Sequence, residues 1–212
     1  MKIDLHVHTA LASPCSNLLV PEIFEVAKIR GLDGICITDH SSYAGFHRVK
    51  RAASDLMPSL KVFFGVEIRT TKGDMLIYSP HELSEDLLNC VPQPQYLIDC
   101  AHEVGGLAVA AHPFRRTAPG LGAVLNDLSG LDGIEVRNGN CPDFVNSMAL
   151  ASAKELDVFV TSSSDAHCAA SLGAYYSVFD SPVTSQVDLI KALSDRLAIP
   201  AGDGRMLKVV KF

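Results

Sequence analysis

The chain has 212 residues, a formal net charge of −6, 48% apolar and 7% aromatic residues, and no tryptophan. This apolar content excludes a disordered chain, and no apolar run approaches the roughly 18 residues of a membrane span. The acidic balance argues against a protein that coats nucleic acid by neutralising many phosphates, although it leaves room for an anionic substrate held through cations.

The length suits one domain, residues 1–212. No basic-then-apolar leader precedes the first strand, so a cytoplasmic location without a targeting segment is expected. That strand, over 2–7, alternates apolar and polar residues. Period two puts Ile3, Leu5 and Val7 on one face and Asp4, His6 and His8 on the other. Two imidazoles at a strand end supply part of a metal shell. A helix follows from Pro21 to Arg30, with proline in its first turn and Gly31 as its stop. The run 34–38 closes on Asp39-His40, a helix is expected over 46–57, and the run 61–67 closes on Glu67. A strand over 75–79 and a helix over 94–104 come next. The strand over 107–111 then closes on His112-Pro113. A strand over 132–137 and a helix over 142–155 lead to the run 157–162, which is followed by Asp165 and His167. A strand over 174–180, a helix over 186–197 and an extended or loosely packed tail from Gly202 to Phe212 complete the chain.

Strand–helix alternation over the whole length predicts an α/β fold with a mostly parallel sheet of about seven units, enough to close a small barrel. Five of the eight histidines lie at the C-terminal ends of predicted strands. In parallel α/β folds the loops after the strands meet at that end and build ligand sites. Histidines placed for packing have no reason to gather there, so a shared metal site is expected. Imidazoles mixed with carboxylates suit Zn²⁺, Fe²⁺ or Mn²⁺ rather than Ca²⁺. Glu67 offers two oxygens and is a natural bridge between ions. Such ions generate hydroxide near neutral pH and clamp a phosphate. No nucleophile elbow, Walker loop or dinucleotide fingerprint is present. The six cysteines form no CxxC pair and read as free thiols, with Cys36 buried.

Asp4-Leu5-His6-Val7-His8-Thr9, Thr38-Asp39-His40, Gly65-Val66-Glu67-Ile68, Ala111-His112-Pro113-Phe114-Arg115 and Ser164-Asp165-Ala166-His167 occur in this order. Together they resemble the PHP family, named for polymerase and histidinol phosphatase, and the segment Asp132 to Gly139 resembles it too. The resemblance implies a distorted (β/α)7 TIM-like barrel, two or three divalent ions (Mn, Fe or Zn), and phosphoester hydrolysis. It carries over His6, His8, His40, Glu67, His112, Asp165 and His167 as metal ligands. Two positions depart from it. Ser13-Pro14-Cys15 stands where the family usually has Ser-Asp-Gly, so Pro14 replaces a ligating aspartate and the ion shared by His40 and His167 is expected to be weakly held; Cys15 reads as a loop thiol. Asp74 stands at or near the place of a family histidine and is expected to be a ligand, with His81 its rival.

Arg115 and Arg116 follow the His-Pro motif and are expected to bind substrate phosphate. Arg137 and His47 are lesser candidates. Asp4 and Asp39 are expected to hydrogen-bond the ligand imidazoles and fix them. The expected function is a metal-dependent phosphoesterase acting, through a metal-activated hydroxide, on a small phosphorylated metabolite or nucleotide. The alternatives are an exonuclease on short oligonucleotides, a non-catalytic metal-binding module, and an amidohydrolase on a related barrel. No protein or membrane partner is expected.

Overall fold

A computed structural model describes residues 1–117 and 120–208; Val209 to Phe212, the end of the expected tail, lie outside the described residues. The chain runs β1 (Lys2–Val7), α1 (Val20–Arg30), β2 (Gly34–Ile37), α2 (Ala44–Leu56), β3 (Lys61–Phe64), β4 (Val66–Arg69) and β5 (Asp74–Tyr78). It continues through α3 (Glu85–Leu88), α4 (Pro94–Glu103), β6 (Leu107–Ala110), a 3-10 turn (Gly122–Asp127), β7 (Gly133–Asn138) and α5 (Asp143–Glu155), and ends with β8 (Phe159–Ser163), β9 (Tyr175–Val178), α6 (Gln186–Ser194) and β10 (Ile199–Gly202). The first helix shows why the punctuation is legible. Pro21 occupies the first turn, where its missing N–H costs nothing. The Glu22 carboxylate accepts from the Leu19 amide at 2.8 Å, and Gly31 ends the helix at φ 63°.

The strands form two mixed sheets, ordered β10-β9-β1-β2-β3 and β4-β5-β6-β7-β8. β1, β2 and β3 are parallel, as are β6, β7 and β8. β9 and β10 add antiparallel strands to the first sheet, and β4 and β5 to the second. The expected α/β fold is present as two mixed sheets, and among the described residues their ladders do not join into one ring. One break falls at Gly65, which splits the predicted run 61–67 between the sheets. A Cβ there would lie 2.9 Å from Ile77 O and from the Tyr78 ring, so only glycine passes so close to β5. On the other side, side chain replaces ladder. The Ser162 amide donates to Ser177 Oγ, and that hydroxyl donates to Ser162 O, both at 3.0 Å. The sheets meet through two lone bridges, Val7 with Ala166 and His40 with Glu67.

Alternation sorts the apolar side chains into layers. Ile3, Leu5, Cys36, Phe63, Leu76, Tyr78 and Val109, drawn from both sheets, form one cluster between them. Val7, Ile35, Ile37 and Val62 pack instead with Ile23, Val26 and Val49 of α1 and α2. Met75, Ile77, Ala108 and Ile134 pack with Leu97, Ile98 and Ala149 of α4 and α5. No helix among the described residues is long and apolar enough to cross a membrane.

In β1 the expected alternation fails. The register against β2 slips between Asp4 and Val7, so β1 carries an extra residue there. Ile3 and Leu5 stay on the inner side while Val7 joins the helix-facing cluster. Such a bulge re-aims the side chains that follow it. His6 and His8 thereby share the side of Leu5, and Asp4 does not share theirs.

Candidate metal centre

The C-terminal ends of β1, β2, β6 and β8, together with β4 and β7, converge on one buried cluster. His6 Nε2 and His8 Nε2 lie 2.9 Å apart. Glu67 Oε2 is 3.4 Å from the first and 3.2 Å from the second, and Asp165 Oδ1 stands at the same two distances. A tetrahedral ion with bonds of about 2.0–2.2 Å sets its ligand atoms about 3.3–3.6 Å apart. These separations of 2.9–3.4 Å are those of a slightly contracted shell. Glu67 reaches further: Oε2 also faces His40 Nδ1 at 3.1 Å, and Oε1 faces His112 Nε2 at 3.0 Å. Three groups of donors each lie within 4.8 Å of one another: His6, His8 and Asp165; His6, Glu67 and His112; His8, His40 and His167.

The surroundings prepare these atoms for a cation. His6 Nδ1 is 3.0 Å from Glu135 Oε1, and His8 Nδ1 is 3.2 Å from Ser13 Oγ. A proton on each Nδ1 satisfies those acceptors and leaves two Nε2 lone pairs facing each other, an arrangement that needs a positive charge between them. Ser13 Oγ in turn donates to Asp39 Oδ1 at 2.6 Å, whose carboxylate also accepts from the Thr9 amide at 2.7 Å. Asp165 Oδ1 is buried and accepts no hydrogen bond among the described residues. An unsatisfied buried carboxylate oxygen aimed into a nest of imidazoles fits a metal cation. Two donors sit on strained backbone, His112 at φ 29° and Asp165 at φ 51°. Each such residue costs on the order of 1–3 kcal/mol and persists only where its surroundings enforce it. The His112 amide donates to Glu135 Oε2 at 2.9 Å, and Asp165 O accepts from Asn140 Nδ2 at 2.8 Å.

The electrostatics give the same reading. Burial opposes a proton on His6, but Asp165, Glu135 and Glu67 outweigh it and hold its pKa well above the usual imidazole range. His8 is likewise pushed up to about 9, against burial, by Asp165 and Glu67. Burial would lift Glu67 and Asp165, yet His6 and the other imidazoles hold both well below the usual carboxylate range. At the rim, burial lowers His40 and His167, against the pull of Glu67 on the first and of Asp165 on the second. The core of the cluster keeps its carboxylates ionised and demands positive charge.

Residues 4–198 match the family model described as the PHP domain. The chain belongs to the PHP domain family. An uncharacterized protein of Methanocaldococcus jannaschii is 35% identical over 160 residues, 71% of this chain and 90% of its own length. Among solved structures, a two-domain protein of Bacteroides vulgatus containing a predicted PHP-like metal-dependent phosphoesterase aligns at TM-score 0.68 and 18% identity, over 95% of this chain and 64% of its own. The lesion-specific endonuclease Q of Pyrococcus furiosus aligns at TM-score 0.67 and 18% identity, over 92% of this chain and 56% of its own. At these identities the structural likenesses establish a shared fold.

Within the PHP cluster the structure gathers His6, His8, His40, Glu67, His112, Asp165 and His167. It does not gather Asp74, whose carboxylate takes Arg69 Nε at 3.0 Å and Nη2 at 3.4 Å across the β4–β5 pair and joins none of the three donor groups. His81 is exposed and also joins none. Arg115 enters the cluster, bonding Asp165 Oδ2 through Nη1, while Arg116 is exposed. Arg137 points away and lies over the Tyr175 ring. His47 pairs with Glu82 at 2.9 Å in solvent.

The expectation for Asp39 takes an indirect form, through Ser13. That for Asp4 is corrected: its carboxylate touches no imidazole ring and instead accepts from the Ser164 amide and hydroxyl and from the Gly173 amide. Burial pushes Asp4 up to about 6 against those bonds. Sequence reasoning missed Glu135, Ser13 and Asn138. Asn138 Nδ2 donates to Glu135 Oε2 at 2.9 Å and to Asp165 Oδ2 at 3.2 Å. The available signal was a carboxylate flanked by Ile134 and Val136 in a buried strand.

Proposed function

We propose that this PHP domain is a metal-dependent hydrolase of phosphate esters, acting on a small phosphorylated metabolite or a nucleotide. The reading rests on one observation: Glu67 stands with both oxygens among four imidazoles, beside the unsatisfied Oδ1 of Asp165. His6, His8, Glu67 and Asp165 would hold one ion, His112 would share Glu67 with it, and His8, His40 and His167 would meet at the rim. The chemistry that Mn²⁺, Fe²⁺ or Zn²⁺ supplies in such a place is a nucleophile at neutral pH and neutralisation of charge on the phosphoryl oxygens.

The chain's own residues do the rest. Glu135, and Ser13 backed by Asp39, fix the proton on Nδ1 of His6 and His8 and so aim both Nε2 atoms inward. Arg115 and Arg116 stand after the His-Pro turn, where a guanidinium can take two phosphoryl oxygens with parallel bonds. Asp74 assists from outside the donor groups, adding negative charge near His40 while held by Arg69. The exonuclease reading needs a basic track with stacking aromatics. A net charge of −6 and 7% aromatics favour a small substrate over it.

The test is hydrolysis of an aryl phosphate with added Mn²⁺ or Zn²⁺, alongside nucleotides and short oligonucleotides. Turnover that Glu67→Ala abolishes is expected. Stoichiometric metal binding with no turnover on any of these would leave a non-catalytic module.

A further inference from the structure

Arg115 occupies a place that its expected role in substrate binding does not explain. Its side chain is 14% exposed, and it reaches into the cluster rather than out toward a ligand. Nη1 bonds Asp165 Oδ2, and Nη2 lies 3.1 Å from His112 Nε2. The same His112 nitrogen faces Glu67 Oε1 at 3.0 Å. These two contacts are incompatible. A protonated Nε2 donates to Glu67 and repels the guanidinium; an unprotonated Nε2 accepts from Arg115 and sets its lone pair against a carboxylate oxygen. His112 Nδ1 and Arg115 Nε, both buried, find no hydrogen-bond partner among the described residues, so neither group is settled by its other end. His112 and Asp165, the two residues that Arg115 touches, are also the two donors on left-handed backbone. The guanidinium therefore pairs with Asp165 Oδ2 but leaves the conflict at His112 Nε2 unresolved.

We infer that Arg115 is a resident cation that competes with the divalent ion for the His112 Nε2 lone pair and is released from it by that ion. In the metal-free protein it offsets the charge of Asp165 and covers the His112 lone pair. An ion held by His6, Glu67 and His112 takes that lone pair, and Nη2 must leave it. The released guanidinium keeps its place after the His-Pro turn and turns to an incoming phosphate. This last step rests on the phosphoesterase reading above; the competition itself does not. Metal therefore binds before phosphate, and the chain exposes its anion-binding arginine only once the centre is loaded.

The experiment is calorimetric titration of the full chain with Mn²⁺, and with Zn²⁺ in parallel, for wild type, Arg115→Met and Arg115→Lys. Competition predicts that both variants bind metal about tenfold or more tightly than wild type, the equivalent of one lost charge-assisted hydrogen bond. Lysine keeps the charge but cannot span Asp165 and His112 with one planar fork. If only Arg115→Met tightens binding, the effect is that of charge at a distance and the inference fails. It also fails if Arg115→Met binds metal no better than wild type, since Arg115 would then be ordering its neighbours. A crystal structure of the wild-type protein with Mn²⁺ decides the matter without variants: Nη2 still within hydrogen-bond distance of His112 Nε2 overturns it. Absence of phosphatase turnover would leave all three readouts intact, so the two proposals fail separately.

Discussion

At the scale of single residues, the candidate centre would set protons and a bound metal ion in competition for the same lone pairs. His8 has its pKa raised from the usual imidazole value to about 9, so the metal-free protein carries a proton where an ion would bind. Metal affinity should therefore rise with pH by about tenfold per unit for each proton displaced, levelling off near pH 9. Calorimetry in buffers of different ionisation enthalpy reads that proton release; a pH-independent affinity would mean that the ion binds elsewhere. The same shift carries a stability term. A histidine raised on folding contributes stability that is full below about pH 6.5 and lost as pH climbs through about 9, here roughly 3 kcal/mol. Urea midpoints of metal-free protein should fall over that window, and metal-loaded protein should lose the dependence. Ser13→Ala removes the acceptor behind His8 Nδ1 and should weaken metal affinity by about 10–100-fold, measured by the same titration. The gathered imidazoles were legible in the sequence because each closes or closely follows an apolar run. Ser13 was not, because a serine two residues from a conspicuous thiol gives no sign that it accepts from an imidazole.

At the scale of elements, two strands depart from strict alternation, and both departures build the site. β7 slips against β8 between Glu135 and Arg137, so that Val136 is the extra residue. Counting in twos along the sequence puts Glu135 and Arg137 on one face, whereas Glu135 is buried and Arg137 exposed. The bulge in β1 hid the parting of Asp4 from His6 and His8 in the same way. Period-two reasoning finds strands and fails where a strand is re-aimed for function. β10 escaped notice because Pro200 lies inside it, and proline is tolerated there only because the strand lies at the sheet edge. α2 shows an element shaped by the site. A Cβ on Gly45 would lie 1.9 Å from Asp39 Oδ2 and 2.4 Å from Thr9 Oγ1. Gly45→Ala, favourable for an isolated helix, should instead destabilise the protein by about 1–3 kcal/mol in urea unfolding and weaken metal binding with it.

At the scale of the whole molecule, fold class and order of elements followed from the chain's punctuation, while closure of the barrel did not. Closure depends on which edges find partners, and the glycine that parts β3 from β4 reads in sequence as one more residue of a continuous run. Because the unfolded chain lacks the assembled cluster, binding should stabilise the fold by mass action. At a free Mn²⁺ or Zn²⁺ concentration 100 times Kd the gain is about 2.7 kcal/mol, or about 5–10 °C in Tm for a chain of this size. A chelator should reverse it, and a melting curve indifferent to both would deny that the centre is a metal site.

Two lone bridges, Val7 with Ala166 and His40 with Glu67, join the two sheets beside the candidate donors. The donors themselves come from both halves: His6, His8 and His40 from one, Glu67, His112, Asp165 and His167 from the other. An ion gripped from both sides would act as a rivet through the seam where the sheets meet. Its removal should let the halves breathe, and exchange of the Ala166 and Glu67 amides with deuterated solvent should quicken while the interior of each sheet stays protected.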